Sequence, residues 1–132
     1  MTVARFDHVA IPIERVGEML AFYASLGFRV EDHGPVYYSV HFGKNKINMH
    51  GPQLWKSGEF DLRGRKAEPG CGDFCFVWEG TVAGIQAKLA ELEIPIEKGP
   101  VSLTGGAGEG TSVYVRDPDA NLLEFIVYES GA

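Results

Sequence analysis

Short runs of alternating apolar and polar residues, punctuated by Gly and Pro, dominate the chain and predict strands joined by turns. Phe6 to Ile11 reads as a first strand, closed by Pro12. Glu14 to Leu26 shows helical spacing instead, with Val16, Met19, Leu20, Tyr23 and Leu26 on one stripe. Gly27 stands just past its end, where a left-handed residue is favoured. Phe28 to Glu31, Val36 to Phe42 and Ile47 to His50 follow as three strands, with turns at Gly34-Pro35 and at Gly43 to Lys46. The order is β-α-β-β-β.

Residues 51–70 lose this regularity. Gly51-Pro52, Gly64 and Pro69-Gly70 interrupt a stretch of mixed charge, which reads as a linker or long loop. Trp55 and Phe60 within it either cap a pocket or pack on the surface. The second half then repeats the first. Asp73 to Val77 reads as a strand, Thr81 caps a helix through Val82, Ile85, Leu89 and Leu92, and Ile94 to Ile96 is a short strand that Pro95 demotes to an edge. Gly99-Pro100-Val101 turns the chain. Gly105 to Gly110 lacks the Lys and Ser/Thr of a phosphate loop and reads as a flexible turn. Two last strands, around Val113 to Val115 and Leu122 to Tyr128, flank Arg116-Asp117-Pro118-Asp119-Ala120-Asn121.

The repeat is arithmetic as well as visual. Gly34-Pro35-Val36 recurs as Gly99-Pro100-Val101 at an offset of 65 (99 − 34), which carries His8 onto Asp73. Ser39-Val40-His41-Phe42 matches Ser112-Val113-Tyr114-Val115 at an offset of 73. Ile47-Asn48-Met49 matches Leu123-Glu124-Phe125 at 76. The prediction is an α+β fold of two tandem βαβββ modules, residues 5–50 and 71–128, joined by the loop 51–70 within one domain spanning 1–132.

Composition narrows the function. A hydrophobic share of 45% against 23% charged residues places the chain among globular proteins. A net charge of −6 without any Lys/Arg-rich run argues against a nucleic-acid surface or a basic membrane face. No stretch has transmembrane length and no signal-peptide pattern opens the chain, so a cytoplasmic location is expected. Cys71 and Cys75 are too few for a disulfide framework and lack partners for a zinc pair. Cys75, alternating in an apolar run, reads as a buried thiol.

Candidate chemistry gathers at the repeat. Two modules side by side would bring His8, Asp73, Asn48 and Glu124 near a pseudo-twofold axis. A His with two carboxylates suits a divalent first-row ion: Mn, Fe, Co, Ni or Zn. His50 shares a strand face with Asn48. Each residue also has a plain structural reading: a hydrogen-bonded core His8, a paired or edge-strand Glu124. His33 reads as solvated in a turn, and His41 either lines a cavity or is structural. Arg29, Lys44, Lys46, Arg63 and Arg65 are either anion contacts or solvated surface charge.

Asp7-His8-Val9-Ala10-Ile11, Phe22-Tyr23 through Leu26-Gly27-Phe28, and Arg116 through Glu124 resemble the vicinal oxygen chelate superfamily, across residues 5–128. That superfamily holds glyoxalase I, extradiol dioxygenases, thiol transferases of fosfomycin resistance and bleomycin-binding proteins. Lys46 to His50, Gly72 to Phe76 and Gly99 through Gly105 are most similar to its glyoxalase-domain-containing, lactoylglutathione-lyase-like branch. The resemblance implies a cupped mixed sheet and a divalent metal held by His8, Asp73 and Glu124, with His50 as a further candidate ligand. It implies Glu124 or His50 as catalytic base, a small-molecule substrate, and a homodimer whose sites are shared between subunits. Three functions follow: a glyoxalase-like lyase or isomerase, an Fe(II) dioxygenase, or a small-molecule (antibiotic) binding protein. Asp73 stands where metal-dependent members usually have His, Asn48 where glyoxalase I has a carboxylate, and Ala120 where the turn usually has Gly.

Overall fold

The computed structural model describes residues 1–128. Its first half runs β1 (His8–Pro12), α1 (Val16–Ser25), β2 (Arg29–Asp32), β3 (Tyr37–Phe42), β4 (Asn45–His50) and a one-turn α2 (Pro52–Trp55). The second runs β5 (Asp73–Val77), α3 (Val82–Glu91), β6 (Lys98–Gly105), β7 (Gly108–Arg116) and β8 (Leu122–Val127). The strands form two four-stranded sheets, ordered β1-β4-β3-β2 and β5-β8-β7-β6. In each, the first strand lies parallel to the last and the other pairs are antiparallel. This is the α+β fold of two tandem modules that the repeat predicts. The chain divides into two compact units, residues 1–72 with 118–120, and 73–117 with the residues from 121.

In the first unit the apolar side of the sheet (Ile11, Val40, Ile47 and Met49, all buried) packs with Met19 and Tyr23 of α1. Alternation makes the opposite side polar. Arg15 offers no side-chain cap to α1. Asp119 does the work from 104 residues away: its carboxylate accepts from Glu14 N at 2.7 Å and from Arg15 N at 3.1 Å. The negative charge there also suits the positive end of the helix dipole. Gly27 ends α1 at φ +96, as its position predicts.

In the second unit Phe76, Val113, Val115, Leu123, Phe125 and Val127 are buried on the side that carries Ile85 and Leu89 of α3. Thr81 caps α3, its Oγ1 accepting from Gly84 N at 2.9 Å. The turn before β8 is closed by Asp117, whose carboxylate accepts from Asn121 N at 2.9 Å and from Asn121 Nδ2 at 2.8 Å. Both residues are buried, so this pairing meets the need of buried polar groups for partners.

Four expectations change. Ile94 to Ile96 forms no strand; β6 begins at Lys98 and runs through Gly99-Pro100 with a shift of register. The glycine stretch is more than a loose turn: residues 106–107 turn the chain at the tip of a hairpin, and the glycines on either side belong to β6 and β7. A Cβ at Gly110 would come within 2.7 Å of Ile126 Cγ1, so glycine there lets β7 lie close over Ile126. The loop 51–70 contains α2. Finally, Ser39 pairs with Asn48 while Tyr114 pairs with Glu124. The structural offset between β3 and β7 is therefore 75 (114 − 39), not 73. A two-residue slip leaves every side chain on its face, which is why the sequence match did not betray it.

Candidate functional site

The polar face of each sheet carries the candidate residues. On the first, cross-strand pairs form rows: His8 with Lys46 and His41, Ala10 with Asn48 and Ser39, Pro12 with His50 and Tyr37. His8 sits at one end of β1, and Asp7 Oδ1 lies 2.7 Å from its Nδ1. A carboxylate on Nδ1 favours an N–H at that nitrogen, the arrangement in which the Nε2 of a neutral ring can act as ligand or base. The same contact, as hydrogen bond and as charge, holds the Asp7 carboxyl below its usual range.

Asn48 is anchored by Ser39, whose hydroxyl donates to Asn48 Oδ1 at 2.8 Å. His33 is half-buried and partnered, not free in a turn. Its Nε2 lies 3.1 Å from Ser39 Oγ and 3.0 Å from Glu31 Oε1, and its ring stacks on Tyr37 at 4.4 Å. His41 Nε2 is 3.5 Å from the same Glu31 oxygen. Loss of water works against the Glu31 charge, but His33, His41 and Arg29 together hold its carboxyl below the usual range.

His50 lies four residues along β4 from Lys46, the partner of His8. At about 3.3 Å per residue that is about 13 Å along the sheet. His50 belongs to a different neighbourhood, with Phe60 edge-on at 5.0 Å. Burial, then the Arg63 charge, lowers its pKa and favours the neutral imidazole. Of the two loop aromatics, Phe60 thus reaches a candidate residue, whereas Trp55 is structural. Its Nε1–H donates to Ile13 O at 2.9 Å, and Lys56 and Arg63 lie over its ring.

On the second sheet Glu124 pairs with Cys75 on β5 and Tyr114 on β7, while Asp73 lies two residues from Cys75 on the same face. The Ser112 hydroxyl donates to Glu124 Oε2 at 2.6 Å. Cys75 is exposed, not buried. Loss of water, then the Glu124 carboxylate and the Asp73 charge, push its thiol up to about 12. Burial and then Glu124 also raise the Tyr114 phenol. Ser112 and Tyr114 escaped the sequence reading. Their alternation with Val113 and Val115 is the signal that marks them as facing the Glu124 side.

Asp73 and Glu124 therefore share one face of the second unit, and His8, Asn48 and His50 one face of the first. Among the described residues no group of three or more His, Cys, Asp or Glu converges closely enough to hold a metal ion. The donor types on both faces, imidazole and carboxylate, nevertheless suit a hard or borderline divalent ion.

Residues 5–125 match the model of the Glyoxalase/Bleomycin resistance protein/Dioxygenase superfamily. The chain belongs to that superfamily. The glyoxalase domain-containing protein RDO1 of Mycosarcoma maydis is 36% identical over 129 residues, 98% of this chain and 71% of its own length. The virulence protein STM3117 of Salmonella typhimurium is 32% identical over 97% of this chain and 87% of its own. The crystal structure of STM3117 overlays with a TM-score of 0.87 over 97% of this chain and 99% of that one. A lactoylglutathione lyase from Agrobacterium tumefaciens shares the fold at a TM-score of 0.73 and 23% identity, each chain covered to 96%. Members of the superfamily often use divalent metals, commonly bind small molecules and form dimers. Among the described residues no helix is long and apolar enough to cross a membrane.

Proposed function

We propose that this superfamily member is a glyoxalase-like lyase or isomerase acting on a small carbonyl compound. It works as a cytoplasmic homodimer with a divalent ion (Ni, Zn, Co, Mn or Fe) held by His8, Asp73 and Glu124. The observation that carries the reading is the Asp7–His8 pair: a carboxylate that orients an imidazole through Nδ1 is how metal-ligating histidines are commonly supported. When bound, the ion would supply Lewis-acid polarisation of a substrate oxygen.

The chain's own residues do the rest. Glu124 is the base that takes the proton beside the carbonyl, and Ser112 fixes its carboxylate at 2.6 Å. Tyr114 and Cys75 both face Glu124, and burial together with its charge keeps both protonated, so neither takes that proton and each presents a donor to the Glu124 carboxylate. His50 is the second candidate base, since its neutral form is favoured. Its distance from His8 along the sheet fits a base better than a ligand to the same ion.

The test is turnover of hemithioacetals by protein loaded with each of the five ions. Metal-dependent isomerisation that Glu124→Gln lowers by about 10²–10⁴-fold supports the reading. Oxygen consumption with catechols on Fe-loaded protein would replace it with ring cleavage. Inactivity with every ion would leave a small-molecule binding protein.

A further inference from the structure

One row of the first sheet consists entirely of basic side chains. The register sets Arg29 on β2 beside His41 on β3, His41 beside Lys46 on β4, and Lys46 beside His8 on β1. Directly paired residues have Cβ atoms about 5 Å apart, and like charges so placed repel. A chain of net charge −6 has no shortage of acids with which to break such a row.

Arg29, His41 and Lys46 line one cavity of about 540 Å³ with Lys44, Asp7 and Asn45. That volume suits a small molecule. The charges around it are only partly answered. Glu31 lies 3.6 Å from Arg29 Nη1 and 3.5 Å from His41 Nε2, and Asp7 is engaged by His8 at 2.7 Å. Lys44 and Lys46 form no ion pair within 4.0 Å among the described residues. His41 Nε2 is buried and its nearest charged partner is Glu31, at the long distance of 3.5 Å. Asn45 is spent as a brace, its Nδ2 donating to Phe6 O at 2.9 Å and Asp7 O at 3.1 Å. Arg29 is answered by Glu31, so the fixed positive charges of the lining without an ion pair are those of Lys44 and Lys46, two in all.

We infer that this cavity is a binding site for a small dianion, a molecule carrying two carboxylates or a phosphoester. The dianion supplies the two negative charges that the lining lacks, and two-point contact to Lys44 and Lys46 sets its orientation. The site needs no metal and stands whether or not the chain isomerises hemithioacetals. His8, at the end of the same row, places it beside a candidate metal ligand, so it fits an anionic arm of the substrate.

Titration calorimetry at about 20 mM ionic strength, where screening is weak, tests this with succinate and glycerol phosphate as probes and acetate as the monovalent control. The expected result is saturable binding of at least one dianion, about tenfold or more tighter than acetate. Lys46→Gln and Lys44→Gln should each weaken it about tenfold, and Lys66→Gln, in the loop outside the cavity lining, should leave it unchanged. Which probe binds identifies carboxylate or phosphate as the class. Lys44 is exposed in the β3–β4 turn, so Lys44→Glu keeps the fold and should abolish binding even where a change at Lys46 perturbs the strand. No saturable binding of either dianion, or equal binding by the parent and Lys44→Glu, would overturn the proposal.

Discussion

The electrostatics of the second sheet make Cys75 a reporter on Glu124. The two residues are paired across β5 and β8, which puts their Cβ atoms about 5 Å apart. Two charges at that distance interact by about 1 kcal/mol in a water-like surrounding, the appropriate limit for an exposed thiol. Replacing Glu124 by Gln keeps the volume and removes the charge. The thiol, now at about 12 against an ordinary 9.0, should fall. An energy of about 1 kcal/mol is about fivefold in thiolate at any pH well below the pKa. A less basic thiolate is also a weaker nucleophile, which trims the gain in rate to about two- to threefold. The assay is alkylation by iodoacetamide at pH 8.5 in a Cys71→Ser background, which leaves Cys75 as the sole thiol. Spectrophotometric titration of Tyr114 should move the same way, since Glu124 raises that phenol too. An unchanged or slower alkylation in a folded Glu124→Gln variant would refute the placement of an ionised carboxylate beside Cys75.

Three further substitutions test the scaffold. Ala120 holds φ +70, a conformation that costs an L-residue roughly 1–2 kcal/mol. Ala120→Gly should therefore raise stability by about 0.5–1 kcal/mol in urea unfolding, once the greater freedom of unfolded glycine is subtracted. Gly99 has φ +109, and a Cβ there would lie 2.5 Å from Ser112 O, so Gly99→Ala should lose at least about 1–3 kcal/mol in the same assay. Ile85 is fully buried, and Ile85→Ala should cost about 2–5 kcal/mol and lower Tm by roughly 7–18 °C in a scanning calorimeter.

Most of the scaffold was legible because its signals are local. Helical spacing fixed Met19, Tyr23, Ile85 and Leu89 as buried, and Thr81 and Gly27 marked the ends of their helices. The start of α1 was not legible, because its cap is Asp119, more than a hundred residues away. The β6–β7 hairpin was hidden for a related reason. Glycine weakens a strand on its own, yet Gly105 and Gly110 are needed where Ile126 approaches the backbone, a cross-strand demand that no local window carries. The site divides in the same way. His8, Asp73 and Glu124 stood out by residue type and by the repeat. The supporting groups, Asp7, Ser112, Tyr114 and Cys75, became visible only once register showed which side chains face which. The basic row of the first sheet is the clearest case. Arg29, His41 and Lys46 are scattered along the chain and become neighbours only through strand pairing.

Metal content is the most direct test of the proposed chemistry. Mass spectrometry on protein purified without a metal-affinity tag would be run on the parent, His8→Ala and Glu124→Ala after incubation with Ni, Zn, Co, Mn and Fe. The account predicts near-stoichiometric binding of one of these ions by the parent and its loss from both variants. A parent that retains none of the five, or variants that retain as much as the parent, would contradict it.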